Sequence, residues 1–129
     1  MDARMARIFG TEKTELLRIP LANSVNPTYN KLIRDRIPEI IAAASDRRYE
    51  TRQLTDAEYA SALDQKLGEE LQEYLSSGDV AELADLVEVV HAIVQHKGLA
   101  LDTFEQLRQQ KHQERGGFTQ RLLLIRTDD

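Results

Sequence analysis

Residues 80–97, VAELADLVEVVHAIVQHK, carry apolar side chains on almost every side of a helix. On a wheel of ~100° per residue, Val80, Leu83, Ala84, Val87 and Val94 form one apolar face. Leu86, Val89, Ala92 and Ile93 form a second, roughly opposite. Only a narrow strip near Glu88, His91 and Gln95 is left for water. Such a helix must be buried on two sides. A chain of 129 residues has room for one domain with a core, but little material to cover both faces. This helix is therefore expected to pack against another subunit.

The neighbouring segments also read as helices. Pro38 suits the first turn of a helix, and Ile37, Ile40, Ile41 and the alanines at 42–44 extend it over about Asp35–Asp46. The segment 47–55 follows as a connector or short strand. Thr55 and Glu58 make a capping box that opens a second helix, ending near Ser76. Its apolar positions Tyr59, Leu63, Leu67, Leu71 and Tyr74 keep helical spacing. Asp79 and Glu82 form a cap-like pair at the start of the third helix, and Gly98 suits its end. Asp102 and Glu105 repeat the cap pattern for a fourth helix, Thr103–Arg115. The RLLLI run at 121–125 reads as a final strand or a docking tail.

The short gaps predict antiparallel neighbours. The fold expected is an all-α, antiparallel helical bundle with minor β or extended segments at the termini. Residues 1–28 show no sustained period and read as an N-terminal extension packed on a neighbour, with RIFG and LLRIP each supplying a short strand or an irregular arm. Residues 29–129 form the domain proper.

The absence of cysteine excludes disulfides and thiolate zinc sites. A net charge of −5 argues against nucleic-acid polymers and anionic membranes as partners. No apolar run approaches the ~18 residues of a membrane span, and the N-terminus lacks the apolar stretch of a signal peptide. A cytoplasmic location is the expectation.

The acids of residues 66–89 need a closer reading. Glu70 lies within the apolar stripe of Leu63, Leu67 and Tyr74, and Glu73 borders it. Glu82 and Asp85 lie on the second face of the third helix, in line with Val89. A buried carboxylate is costly unless protonated, paired or bound to a cation. The two pairs, Glu70 with Glu73 and Glu82 with Asp85, have i, i+3 spacing, and antiparallel helices bring them together. A divalent cation with oxygen ligands relieves their repulsion, and Mg²⁺ is the most available. No Ca²⁺-binding loop motif is present, and the Glu-x-x-His pairs of a di-iron bundle are missing. The plainer reading stays open: Glu82 can complete a cap, and Glu69 and Glu73 can face water and pair with Lys66.

The motif KLxEExxE followed by ELADxxEV resembles the MazG-like all-α nucleoside triphosphate pyrophosphohydrolase superfamily. YNKLIRDRIPEII at 29–41, and KHQERGGF at 111–118 with RLLLI after it, are similar to its small phosphoribosyl-ATP-pyrophosphohydrolase-like branch. The resemblance covers about residues 29–125. It implies a Mg²⁺-dependent enzyme, with Mn²⁺ as a substitute, that cleaves a nucleotide between its α- and β-phosphates. It implies Glu70, Glu73, Glu82 and Asp85 as metal ligands, with Glu69 beside them activating water or holding a further metal. It also implies a homodimer or homotetramer.

Only eight residues separate Glu73 from Glu82, fewer than is typical of the family, so base specificity does not carry over. A nucleotide substrate needs cations. Lys31, Arg34 and Arg36, and Lys111 and Arg115 near the end of the fourth helix, are the candidates. His91, His96 and His112 lack ligand spacing and read as surface groups. Two alternatives stand beside this reading: a histidine-pathway phosphoribosyl-ATP pyrophosphohydrolase, and a helical interaction module without catalysis.

Overall fold

The computed structural model describes residues 29–128. The expected N-terminal extension, with its short strands or irregular arm at RIFG and LLRIP, lies outside them. Four helices follow in order: α1 (Ile37–Ala44), α2 (Asp56–Ser77), α3 (Val80–His96) and α4 (Leu101–Arg115). No strand forms among the described residues, and the fold is an all-α, antiparallel helical bundle. The chain divides into two compact units within the described residues, 29–93 and 94–128.

In the first unit, α1 is shorter than its sequence suggests. Pro38 occupies its first turn, and the Ile37 amide donates to the Arg34 carbonyl at 3.1 Å. Ser45 is extended and its hydroxyl donates to the Ile41 carbonyl at 3.3 Å, which ends the helix before Asp46. Residues 47–55 form a connector with no strand, since no ladder partner lies beside them among the described residues.

The α2 start is a complete capping box. The Glu58 amide donates to Thr55 Oγ1 at 3.2 Å, and the Thr55 amide donates to Glu58 Oε1 at 3.1 Å. Arg52 adds two hydrogen bonds to the same carboxylate, at 3.0 and 2.7 Å. The Arg52 bonds, and then the Thr55 amide, hold the Glu58 carboxyl down at about 2. A carboxyl lowered in this way contributes stability above the ordinary carboxylate range and loses it as pH falls towards 2. Thr55→Ala is expected to cost about 1 kcal/mol of stability, read from the denaturant midpoint.

Gly78 and Asp79 alone join α2 to α3. Gly78 takes a left-handed φ of 67°, and its amide donates to the Tyr74 carbonyl at 2.7 Å. Glycine adopts that backbone without the Cβ strain other residues carry. The Asp79 amide donates to Ser77 Oγ at 3.1 Å, and Asp79 Oδ1 accepts from the Ala81 amide at 3.0 Å. Asp79 therefore caps α3 without help from the Glu82 carboxylate. The cap-like pair read from the sequence splits here, and Glu82 is released to turn inward.

Ile37, Leu63 and Val89 are buried in this unit. On α3 the face of Leu86, Val89, Ala92 and Ile93 is buried or half-buried, as its spacing predicts. The other face is open towards the turn: Val80, Ala84 and Val87 are exposed, together with Leu71 and Leu75 of α2.

The second unit begins in the last turn of α3, where Val94 is buried. The Leu99 amide donates to the Val94 carbonyl at 3.2 Å and Gly98 has φ 85°, closing the helix at the predicted glycine. Helix α4 starts two residues earlier than expected. Ala100 occupies the N-cap without a side-chain bond, and Asp102 sits in the first turn, where its charge suits the helix dipole. Glu105 instead takes hydrogen bonds from Arg108. No residue of α4 is buried. The RLLLI segment forms no strand: Leu122–Ile125 stand exposed, with no ladder partner among the described residues. No helix among the described residues is long and apolar enough to cross a membrane.

Candidate metal centre

The two-residue turn fixes the height of the acids. Glu73 lies five residues before Gly78 and Glu82 three after Asp79, so a rise of ~1.5 Å per residue leaves both within two turns of the link. Glu70 and Asp85 each lie one turn further along. The hairpin thus brings the two i, i+3 pairs face to face.

Glu70, Glu82 and Asp85 each present a carboxylate oxygen, and these oxygens all lie within 4.8 Å of one another. Glu70 and Glu82 keep only 6% and 8% of their surface exposed, while Asp85 is half-buried. Glu70 Oε2 and Glu82 Oε2 are buried with no hydrogen-bond partner. A buried carboxylate oxygen left in that state is costly.

Glu73 is 6% exposed and stands against the same cluster, with Glu70 and Glu82 the acids that act on it. Burial first, then the charge of Glu70, pushes its carboxyl up to about 8. Burial also raises Glu82, opposed by its bond from Glu73 and reinforced by the charges of Asp85 and Glu70. These effects describe one shared arrangement: a proton on Glu73 relieves part of the repulsion among four acids. A divalent cation relieves the same repulsion with all four ionised. The donors are carboxylate oxygens only, a set that suits a hard cation such as Mg²⁺ or Mn²⁺. Glu70 and Glu82, each with a buried oxygen that has no hydrogen-bond partner, fit such an ion.

Cations surround the cluster. Lys66 Nζ lies 3.4 Å from Glu69 Oε2 and 3.5 Å from Glu70 Oε1, with its side chain 13% exposed. Lys31 Nζ lies 4.0 Å from Glu69 Oε1. Glu69 therefore stands between two ammonium groups and is not one of the three clustered carboxylates. Arg34 Nη2 donates to Asp85 Oδ1 at 2.6 Å. Sequence spacing named Lys66 only as a surface partner. Its position three residues before Glu69 and four before Glu70 was the available signal for a role at the cluster.

Arg36 pairs with Glu39 on the surface of α1, 3.5 Å away. Lys111 and Arg115 are exposed residues of α4 in the second unit. His96 and His112 are exposed, and His91 is half-buried. Glu88 is exposed, on the strip the wheel leaves to water.

No family model and no solved structure matches the chain. Over 54 residues it is 50% identical to an uncharacterized protein of Mycolicibacterium smegmatis, a stretch that takes in 42% of this chain and 53% of that one. The chain thus spans about half the length of this curated relative, which carries no assigned activity to compare.

Proposed function

We propose that the chain is a Mg²⁺-dependent nucleoside triphosphate pyrophosphohydrolase. Water adds to the α-phosphorus, the bond to the α,β-bridging oxygen breaks, and the products are a nucleoside monophosphate, pyrophosphate and a proton. One observation carries the reading: Glu70, Glu82 and Asp85 bring carboxylate oxygens within 4.8 Å of one another between antiparallel helices, and Glu70 and Glu82 each keep a buried oxygen with no hydrogen-bond partner. The resemblance of the KLxEExxE and ELADxxEV motifs gives that cluster its reaction.

Glu70, Glu73, Glu82 and Asp85 are the residues that would hold Mg²⁺. Bound there, the ion supplies charge neutralisation at phosphate oxygens and makes nearby water more acidic. Glu69 takes the proton of the attacking water on a carboxylate oxygen. Lys66, against both Glu69 and Glu70, offsets their negative charge and fixes their direction. Lys31 and Arg34, already at the edge of the acids, bind the phosphate chain. Arg34 exchanges its bond to Asp85 for one to phosphate, which frees that carboxylate for the metal.

Pyrophosphate release is expected from one or more nucleoside triphosphates in the presence of Mg²⁺, and to stop with chelator. Faster release from phosphoribosyl-ATP than from every triphosphate tested would move the assignment to the histidine-pathway reaction. No turnover of any nucleotide, with no metal-induced stabilisation, would leave a helical interaction module. Chain placement in a homodimer or homotetramer is part of the same proposal.

A further inference from the structure

The apolar surface that remains uncovered comes in two pieces. The first is the open side of the α2–α3 hairpin. Leu71 and Leu75 lie about 100–150° round α2 from the carboxylate face, and Val80 and Val87 lie about as far round α3 in the same sense. In an antiparallel pair, equal rotations in one sense point to one side of the hairpin. All four residues are exposed, from 43% at Leu71 to 74% at Val80. The second piece is the tail after α4, where Leu122, Leu123, Leu124 and Ile125 are 79–86% exposed. Four consecutive apolar residues so exposed form an uncovered apolar patch.

Length and charge match the two pieces. Drawn out fully, four residues reach ~13 Å, enough to follow the ~10.5 Å of helix from Val80 to Val87. Arg121 and Arg126 flank the tail, while exposed Asp79 and Glu88 flank Val80 and Val87. Residues 29–93 carry seven Lys and Arg against fourteen Asp and Glu, and residues 94–128 carry six against four. Pairing hairpin with hairpin would oppose like acids. Pairing tail with tail antiparallel would set Arg121 against Arg126 of the other copy. Of these three pairings between copies, tail on hairpin is the one that joins opposite charges and covers both apolar pieces. We infer that the tail of each chain docks on the open hairpin side of a second copy, in a reciprocal two-fold exchange.

The absence of native cysteine makes the test direct. Val87→Cys is mixed under mild oxidation with full-length Leu122→Cys or Leu123→Cys, which sample two successive positions of the tail. A disulfide between Val87→Cys and one of the tail variants is expected. So is a two-chain mass for the wild type, lost on deletion of residues 122–129. The inference is overturned if Val87→Cys links only to itself or to neither tail variant. It is equally overturned if the wild type is one chain, or if the deletion keeps the two-chain mass. None of these readouts depends on nucleotide hydrolysis, so this inference and the proposed activity fail separately.

Discussion

Glu70→Gln is expected to abolish Mg²⁺-dependent pyrophosphate release, with a fall in kcat of about 10²–10³ or more, while Glu88→Gln keeps wild-type turnover. The two substitutions remove the same charge from neighbouring helices of one hairpin. They differ in place: Glu70 is 6% exposed and keeps a buried oxygen with no hydrogen-bond partner, and Glu88 faces water. The amide introduced by Glu70→Gln would keep the shape of the side chain and half its acceptor capacity, but would lose the charge that holds a cation. Equal activity in the two variants would refute the role given to the cluster.

The second large effect is on the pH dependence of the metal-free protein. Glu73 titrates near 8 in the folded chain, against 4.5 for an ordinary glutamate. Between those values the folded state keeps a proton that the unfolded state has released. Stability therefore falls as pH rises through that window and levels off above 8. Glu73→Gln removes the group that must ionise. In chelator, its melting temperature at pH 8 is expected to exceed the wild type's by several degrees, with a flatter profile from pH 5 to 8. Mg²⁺ reverses the ranking, because ionised carboxylates are what it binds. The wild type gains more from Mg²⁺ at pH 8 than at pH 5, and the variant gains little at either. A wild-type profile flat from pH 5 to 8 in chelator would contradict the shared-proton arrangement.

Which parts of this arrangement were legible in the sequence follows from how local each signal is. The capping box at Thr55, the stop at Gly98 and the apolar spacing of α2 and α3 are local, and they placed these helices to within a residue or so. The inward direction of Glu70 and Asp85 followed from their place in apolar stripes. Other features depend on competition between neighbours. Asp79 caps α3 through its own carboxylate, so Glu82 is free for the cluster. Asp102 gives the N-cap to Ala100 because the chain enters the helix earlier. Lys66 is drawn in only because Glu69 and Glu70 follow it by one turn. The tail at 121–125 has strand-like residues but no ladder to join among the described residues, and its apolar pattern reads as exposed surface.

The central claim is that this acid cluster serves cleavage between the α- and β-phosphates. Phosphorus-31 NMR of nucleoside triphosphates incubated with the full chain and Mg²⁺ tests it most directly. The account predicts growth of a pyrophosphate resonance with a matching monophosphate resonance, absent with Glu70→Gln. Accumulation of diphosphate and orthophosphate, or triphosphates that stay intact across the panel, would contradict it.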